Sequence, residues 1–219
     1  MTVRVVIVGA GGHGQVVCDI LQRAAEAGEP VTPIGFVDGD EALLGQSILG
    51  VAVLGRPDDL PDIPHDAIVV AIGDNRARHR LSDELAARGE CFYTARHPRA
   101  IVAADAVVEP GAMICAGAIV NTGSWVGAHA ILNTACSVDH HNVVGACAHV
   151  APGVHLGGGV QVGDGALIGI GSTVVPRARV GEWAVVAAGA VVTADVAADA
   201  LVVGVPARVR ARESRLVVP

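Results

Sequence analysis

The second half of the chain repeats a pattern of aliphatic, small and polar residues with a period of six. Between Ile101 and Val196 the sequence divides into sixteen hexads, and the second residue of every hexad is Val, Ile or Leu. The sixth residue is Ala, Ser or Cys in twelve of the sixteen. Alternation with a period of two would not hold this phase through the whole segment. The pattern predicts sixteen short strands, each followed by a tight corner.

Hexapeptide periodicity is typical of parallel β-helices, in which the aliphatic residue points inward and the small residue fits the crowded corner. Three hexads complete one coil, so residues eighteen apart lie above each other at one β spacing, roughly 4.8 Å. We therefore expect residues 97–219 to form an all-β C-terminal domain that consists of a left-handed parallel β-helix and a C-terminal tail.

Residues 1–96 alternate strand-like and helix-like segments instead. Short apolar runs indicate buried strands, and apolar residues spaced by three and four indicate helices. This alternation predicts a mostly parallel sheet in an α/β domain, small and Rossmann-like, about half the size of a full dinucleotide-binding fold. The predicted strands are Val3–Val8, Val31–Val37, Ala67–Ile72 and Cys91–Ala95, and the predicted helices are Gln15–Ala27 and Arg76–Arg88.

Composition restricts the possible partners. The formal net charge of −7 disfavours general nucleic-acid binding. The five cysteines form no CxxC pair, which indicates reduced thiols in a cytoplasmic protein. Glycines and charged residues interrupt every apolar run, so no membrane span is expected, and the N-terminal run is too short for a signal peptide.

The N-terminal domain contains a glycine-rich loop of the kind that binds phosphates. Gly9–Gly14 reads GAGGHG and lies between the first predicted strand and the first predicted helix. Such glycines let backbone N–H groups at a helix N-terminus approach a phosphate. An NAD-linked oxidoreductase would need a second βαβ half and hydride-transfer residues. The rest of the sequence contains neither, which disfavours that class.

One histidine of the repeat region has a suggestive partner one coil away. Imidazole can accept the proton of a nucleophile near neutral pH, so a histidine is a candidate general base. Gly158 lies eighteen residues after His140, so the two should stack on one face. A backbone N–H at Gly158 could stabilise negative charge on a ligand beside the ring, since glycine lets a ligand approach closely.

Several motifs together resemble a known enzyme family. They are the hexads, the GAGGHG loop, the IGDN segment at 72–75, the DHHNVVG segment at 139–145 and the tail Gly204–Arg208. The chain is similar over nearly its whole length to bacterial sugar O/N-acetyltransferases, including sialic acid O-acetyltransferases and N-acetyltransferases of bacillosamine and perosamine precursors. The resemblance implies a homotrimer, with acetyl-CoA between adjacent β-helices and a nucleotide sugar in the N-terminal domain.

The resemblance also implies roles for individual residues. His140 would be the general base, and Gly158 would supply the oxyanion-stabilising N–H. Cofactor contacts would come from Asn133 and His149 near the acetyl group, Ile170 and Ala188 along pantetheine, and Arg208 at the nucleotide end. The nucleotide sugar would be held by Gly11, Gly12, His13, Asp38, Gly73 and Asn75.

Two features leave the mechanism open at this stage. The family usually has Asp or Glu directly after the base, but this chain has His141. A neutral imidazole there cannot supply a negative charge, but it could hydrogen-bond to His140, so His141 is a candidate modulator of the catalytic site. Asp139 is the nearest carboxylate in sequence, yet neighbouring residues of a strand point to opposite sides. Cys136 lies four residues before His140 and could act as a nucleophile that forms an acyl-enzyme, in place of direct attack on the thioester by the acceptor. It also fits the role of the small residue that fills a corner.

The main hypothesis is N-acetylation of a nucleotide-linked amino-deoxy-sugar by acetyl-CoA. O-acetylation of sialic acid or a related hydroxyl would use the same residues, and a non-catalytic nucleotide-binding scaffold would make His140 dispensable. Some hexapeptide β-helices are zinc carbonic anhydrases, which use two histidines five residues apart. No two histidines between 129 and 155 have that spacing, so no metal site is expected.

Overall fold

The computed structural model describes residues 1–211. Its N-terminal part has a five-stranded sheet in the order β3-β4-β2-β1-β5, with two helices. All neighbouring strands are parallel except the antiparallel pair β3–β4, so the predicted small parallel sheet is confirmed. The elements are β1 (Val3–Val8), α1 (Gly12–Glu26), β2 (Val31–Val37), β3 (Ser47–Ile48), β4 (Val51–Gly55), β5 (Ala67–Val70) and α2 (Asn75–Ala87), with 3-10 turns at Glu41–Leu43 and Pro57–Asp62.

Two details of this part differ from the sequence prediction. Strands β3 and β4 were not predicted, because β4 alternates buried and exposed residues over only five positions. The prediction of a strand at Cys91–Ala95 in the N-terminal sheet was wrong, because Phe92 makes only an isolated bridge to Ile68. The chain instead enters the β-helix at β6 (Ala95–Arg96), which pairs with the strand one coil further on.

The C-terminal part is the predicted left-handed parallel β-helix. Every hexad from Ile101 begins with a two-residue strand, so the period of six is confirmed throughout. These strands are β7 (Ile101–Val102), β8 (Val107–Val108), β9 (Met113–Ile114), β10 (Ile119–Val120), β11 (Trp125–Val126), β12 (Ile131–Leu132), β13 (Ser137–Val138), β14 (Val143–Val144), β15 (His149–Val150), β16 (His155–Leu156), β17 (Gln161–Val162), β18 (Leu167–Ile168), β19 (Thr173–Val174), β20 (Arg179–Val180), β21 (Val185–Val186) and β22 (Val191–Val192). After them come β23 (Leu201–Val203) and β24 (Arg208–Arg210).

The strands form three faces of a prism. The first face contains β7, β10, β13, β16, β19 and β22, and the second contains β8, β11, β14, β17 and β20. The third contains β6, β9, β12, β15, β18, β21, β23 and β24. The chain turns between them at the first–second, second–third and third–first corners, and paired residues of strands β6 to β22 are eighteen apart.

The hexad pattern has a direct structural cause. The second residue of each hexad points inward, and almost all of these aliphatic side chains are buried in one continuous core. The fifth residue usually has a positive φ, which glycine adopts without strain and which makes the turn tight. At several corners a larger residue takes this conformation, including His129, His141, Cys147 and Trp183. A positive φ is strained for residues other than glycine, so a large side chain at such a position indicates a function in addition to forming the turn.

The N-terminal part packs on the third face. Val17 and Leu21 of α1 share a buried core with Met113 and Ile131, which lie on neighbouring strands of that face. The first and second faces instead carry exposed apolar side chains, among them Ile101 and Trp125. Neither helix within residues 1–211 has the length and apolar character needed to cross a membrane.

Candidate active site

His140 and Gly158 meet at the first–second corner. A Cβ built on Gly158 would lie 2.5 Å from both Cε1 and Nε2 of His140, so the imidazole rests directly on the glycine backbone. The N–H of the next residue, Gly159, donates to the His140 carbonyl at 2.9 Å. Within residues 1–211 the Gly158 N–H itself has no acceptor. A free donor beside an exposed imidazole is an arrangement that could serve acyl transfer.

His141 contacts the other side of the His140 ring. The two Nδ1 atoms are 3.1 Å apart and the rings meet edge to face, with centroids 5.3 Å apart. Asp139 makes no hydrogen bond or ion pair with either ring within residues 1–211. Its Oδ1 accepts from the His140 backbone N–H at 2.8 Å and from Asn121 Nδ2 at 3.2 Å.

Cys136 is unsuited to nucleophilic attack. Its side chain is fully buried in the β-helix core, and burial raises the pKa of its thiol to about 12. The thiolate is the reactive form of cysteine, and this environment suppresses it. Cys136 therefore acts as the small corner residue that the hexad pattern predicts.

A second group of predicted residues lies on the third face, beneath the N-terminal part. Asn133 Nδ2 is 3.0 Å from His149 Nε2, and the rings of His13 and His149 have centroids 6.4 Å apart. Burial, together with the positive charge of Arg78, lowers the pKa of His149 to about 3 and that of His13 to about 4. Both rings are therefore neutral near pH 7. Nε2 of His13 is buried and has no hydrogen-bond partner within residues 1–211.

The glycine-rich loop combines two kinds of glycine. A Cβ on Gly14 would lie 2.0 Å from the Gly9 carbonyl oxygen, so the tight turn into α1 requires glycine there. Nothing lies within 4 Å of a Cβ built on Gly11 or Gly12, so both border open space. Gly11 caps α1 without a side-chain hydrogen bond, which leaves the first N–H groups of the helix available to an anion.

Asp38 and Gly73 lie on the two loops beside this turn. Asp38 Oδ2 accepts from the Ala10 N–H at 2.6 Å and Oδ1 accepts from the Asp40 N–H at 2.9 Å, so the carboxylate braces the glycine-rich loop. A Cβ on Gly73 would meet nothing within 4 Å. The three loops follow the carboxyl ends of parallel strands β1, β2 and β5, the edge at which such sheets bind ligands.

Asn75 faces the β-helix. Its Nδ2 donates to the carbonyls of Gly165 at 3.0 Å and Ala166 at 3.2 Å, and its Oδ1 accepts from Arg78 at 2.8 Å. The side chain thus joins α2 to the second–third corner. Its predicted contact with a nucleotide sugar stays a prediction.

Sequence reasoning missed Arg78, which is fully buried where the two parts meet. Nε donates to the His129 carbonyl at 2.9 Å and Nη2 donates to the Cys147 carbonyl at 2.7 Å, on corners of successive coils. Nη1 donates to the Ile72 carbonyl at 2.7 Å. No carboxylate forms an ion pair with it within residues 1–211, and burial lowers its pKa to about 10. A weak signal was available, because Arg78 lies on the buried stripe of α2 with Ser82 and Leu85.

The remaining predicted cofactor contacts lie at the third–first corner and on the last strand. The N–H of Gly189 donates to the Ile170 carbonyl at 2.8 Å, so Ile170 and Ala188 stack one coil apart, and both are exposed. Arg208 is exposed on β24, with Nη1 donating to the carbonyl of Ala207 at 2.8 Å. Ile170 and Ala188 occupy a different corner from His140, at the opposite edge of the first face.

In the described part of the chain, residues 1–211, no cluster of His, Cys, Asp and Glu has the arrangement needed to hold a metal ion.

Family models match both parts of the chain. A model described as the PglD N-terminal domain matches residues 4–85, and one described as bacterial transferase hexapeptide (six repeats) matches residues 159–194. A search of curated proteins found no match.

Several solved structures are similar over almost the whole chain. A variant of perosamine N-acetyltransferase from Caulobacter crescentus, solved with CoA and GDP-perosamine, is 37% identical with a TM-score of 0.88, over 95% of this chain and 97% of that one. The acetyltransferase domain of PglB from Neisseria gonorrhoeae, solved with acetyl coenzyme A, is 32% identical with a TM-score of 0.88, over 96% and 100%. WeeI from Acinetobacter baumannii is 27% identical with a TM-score of 0.81, over 95% and 100%.

Two of these chains are more than 30% identical to this one over nearly its full length, and the two family models match the N-terminal and the β-helical part in the expected order. The chain therefore belongs to the hexapeptide-repeat acyltransferases of the perosamine and PglB N-acetyltransferase type, and it is an acetyltransferase.

Proposed function

We propose that the protein transfers an acetyl group from acetyl-CoA to an amino group on a nucleotide-linked deoxy-sugar. The observation that carries the proposal is the His140 imidazole lying on Gly158, whose N–H is free. The described relatives that bind CoA and GDP-perosamine support the two substrate classes. The open glycines of the N-terminal loop support a diphosphate site there.

In this proposal the acceptor amine attacks the thioester directly. Its nitrogen forms the new bond to the acetyl carbonyl carbon while Nε2 of His140 accepts the amine proton. The Gly158 N–H donates to the carbonyl oxygen as negative charge develops there. The C–S bond then breaks, and the proton passes from His140 to the CoA thiolate, which restores the neutral imidazole. The buried Cys136 supports a route without an acyl-enzyme.

We further propose that each active site lies between two copies in a homotrimer. His140 and Gly158 occupy one edge of the first face, whereas Ile170 and Ala188 occupy the other. Three copies with their first faces toward a common axis would bring the first–second corner of one copy beside the third–first corner of the next. The N-terminal part packs on the third face, while Ile101 on the first face is exposed, which supports the arrangement.

The chemistry is tested by thiol release from acetyl-CoA with UDP-, dTDP- and GDP-linked amino sugars and with sialic acid. We expect turnover with one nucleotide amino sugar, lost by about a hundredfold or more in His140→Ala. His79→Ala is the control, since that half-buried histidine pairs with Asp83 on α2 and contacts Trp183 at the second–third corner, away from His140. Turnover with sialic acid alone would instead indicate O-acetylation. Nucleotide binding without turnover would support a scaffold role.

The shared site is tested by unfolding and refolding His140→Ala and His149→Ala together, after each variant alone has been measured and found inactive, as we expect. If His140 and His149 of one site come from neighbouring copies, about a quarter of the sites in randomly assembled trimers contain both histidines and are active. Activity near zero in the mixture, with trimers present by light scattering, would place both histidines of a site in one copy.

A further inference from the structure

The proposed base needs a particular tautomer of both histidines at the first–second corner. A neutral His140 that accepts a proton at Nε2 carries its own proton on Nδ1. Its Nδ1 is 3.1 Å from Nδ1 of His141, so His141 must accept there. The single proton of neutral His141 then lies on Nε2. Whatever stabilises that Nε2–H also holds His140 in its basic form.

Nε2 of His141 lies over the corner one coil below. A Cβ on Gly123 would lie 2.8 Å from Cδ2 and 3.0 Å from Nε2 of His141, so this edge of the ring rests where Gly123 lacks a side chain. The φ of Gly123 is +68°. Residues 105, 123 and 141 are eighteen apart and share the fifth position of successive first–second corners.

The carboxylate of Asp105, two coils below His141, is held at the same glycine. Its Oδ2 accepts from the Gly123 N–H at 3.0 Å and from the Thr122 hydroxyl at 2.7 Å. The hydrogen bond from Thr122 is the largest cause that keeps the pKa of Asp105 below its ordinary value, with smaller contributions from Gly123 and His141. Asp139, the alternative acid, has its Oδ1 bound to the His140 backbone N–H and to Asn121, and it makes no hydrogen bond or ion pair with either imidazole in the described residues.

We propose that Asp105 is the positioning carboxylate of this active site and acts on His140 through His141. Within residues 1–211 no hydrogen bond or ion pair joins Asp105 to His141, so the carboxylate acts through space from its position at the Gly123 N–H. Its negative charge favours the Nε2–H tautomer of His141 and stabilises the positive charge that His140 acquires when it takes the amine proton. The acid that the family usually has next to the base is thus replaced by one two coils away. This inference rests on the proposed role of His140.

The first test is Asp105→Asn, measured by steady-state thiol release. The amide oxygen can still accept from Thr122 and Gly123, so the corner keeps its hydrogen bonds while the charge is lost. We expect kcat to fall about tenfold with both KM values within twofold, as for other residues that orient a catalytic group. Asp164→Asn is the matched control, because Asp164 accepts from the Ala146 N–H at 2.8 Å at another corner.

The second test asks whether an acid next to the base makes Asp105 dispensable. In a His141→Glu background, Asp105→Asn should change kcat by less than about twofold, because the new carboxylate contacts His140 directly. An equal loss of kcat in both backgrounds would show that Asp105 only stabilises the corner through its hydrogen bonds, and it would overturn the inference. An unchanged kcat in the single variant would overturn it as well. If His140→Ala keeps its activity, the proposed base fails first and this inference fails with it.

Discussion

The contact between His140 and Gly158 makes Gly158→Ala a sharp test of the site. The new methyl carbon would lie 2.5 Å from two atoms of the imidazole, whereas unstrained contacts of this kind are about 3.5–4 Å. The ring must therefore move by about 1 Å. His140 is exposed, so it can move without disturbing the core. Gly158 does not have a positive φ, so alanine fits its backbone conformation.

We therefore expect a large kinetic effect with little effect on stability. A displacement of about 1 Å at a catalytic group can cost about a hundredfold in rate, and the methyl group also hinders access to the Gly158 N–H. The free energy of unfolding should change by less than about 1 kcal/mol. Thiol release under saturating substrates measures kcat, and urea denaturation followed by circular dichroism measures stability.

The double variant with His140→Ala separates the two causes. If displacement of the imidazole is the main effect, Gly158→Ala should cost much less once the ring is gone. A single variant that keeps kcat within about threefold of the wild-type value would refute a catalytic contact at this corner. A loss of several kcal/mol in stability would show instead that the glycine serves the fold.

Two further predictions concern the buried groups where the two parts of the chain meet. Arg78→Met leaves the His129 and Cys147 carbonyls without their donor and should lower the free energy of unfolding by about 3 kcal/mol; a loss below 1 kcal/mol in urea denaturation would contradict this. Because His13 and His149 titrate at about 4 and 3 when folded, the unfolded chain binds more protons as the pH falls below about 6.5. The free energy of unfolding should therefore decline from pH 7 to pH 4. The double variant His13→Gln/His149→Asn should show a smaller decline, and a pH profile equal to that of the wild type would refute this reasoning.

Much of the molecule follows from the order of residues alone. The period of six determines the strands, the faces and the core, because each hexad is a complete local unit of strand and corner. The same arithmetic brought His140 next to Gly158. The same spacing contains two further signals. The separation between His140 and Ile170 is not a multiple of eighteen residues, which places them at different corners. The separation between Asp105 and His141 is twice eighteen, which places them at the same corner two coils apart. Periodic folds convert sequence spacing into spatial distance.

Only the tertiary structure decided how the N-terminal part sits on the β-helix. The buried Arg78 and the committed amide of Asn75 depend on carbonyls more than fifty residues away, which no local pattern encodes. The segment around Phe92 has strand-like composition, but it adds no strand to the N-terminal sheet. The strand that follows it, β6, pairs instead with β9 on the third face of the β-helix. Short-range patterns determine which elements form. Where two elements meet depends on the hydrogen bonds and burial available at their contact, and these exist only once both are folded.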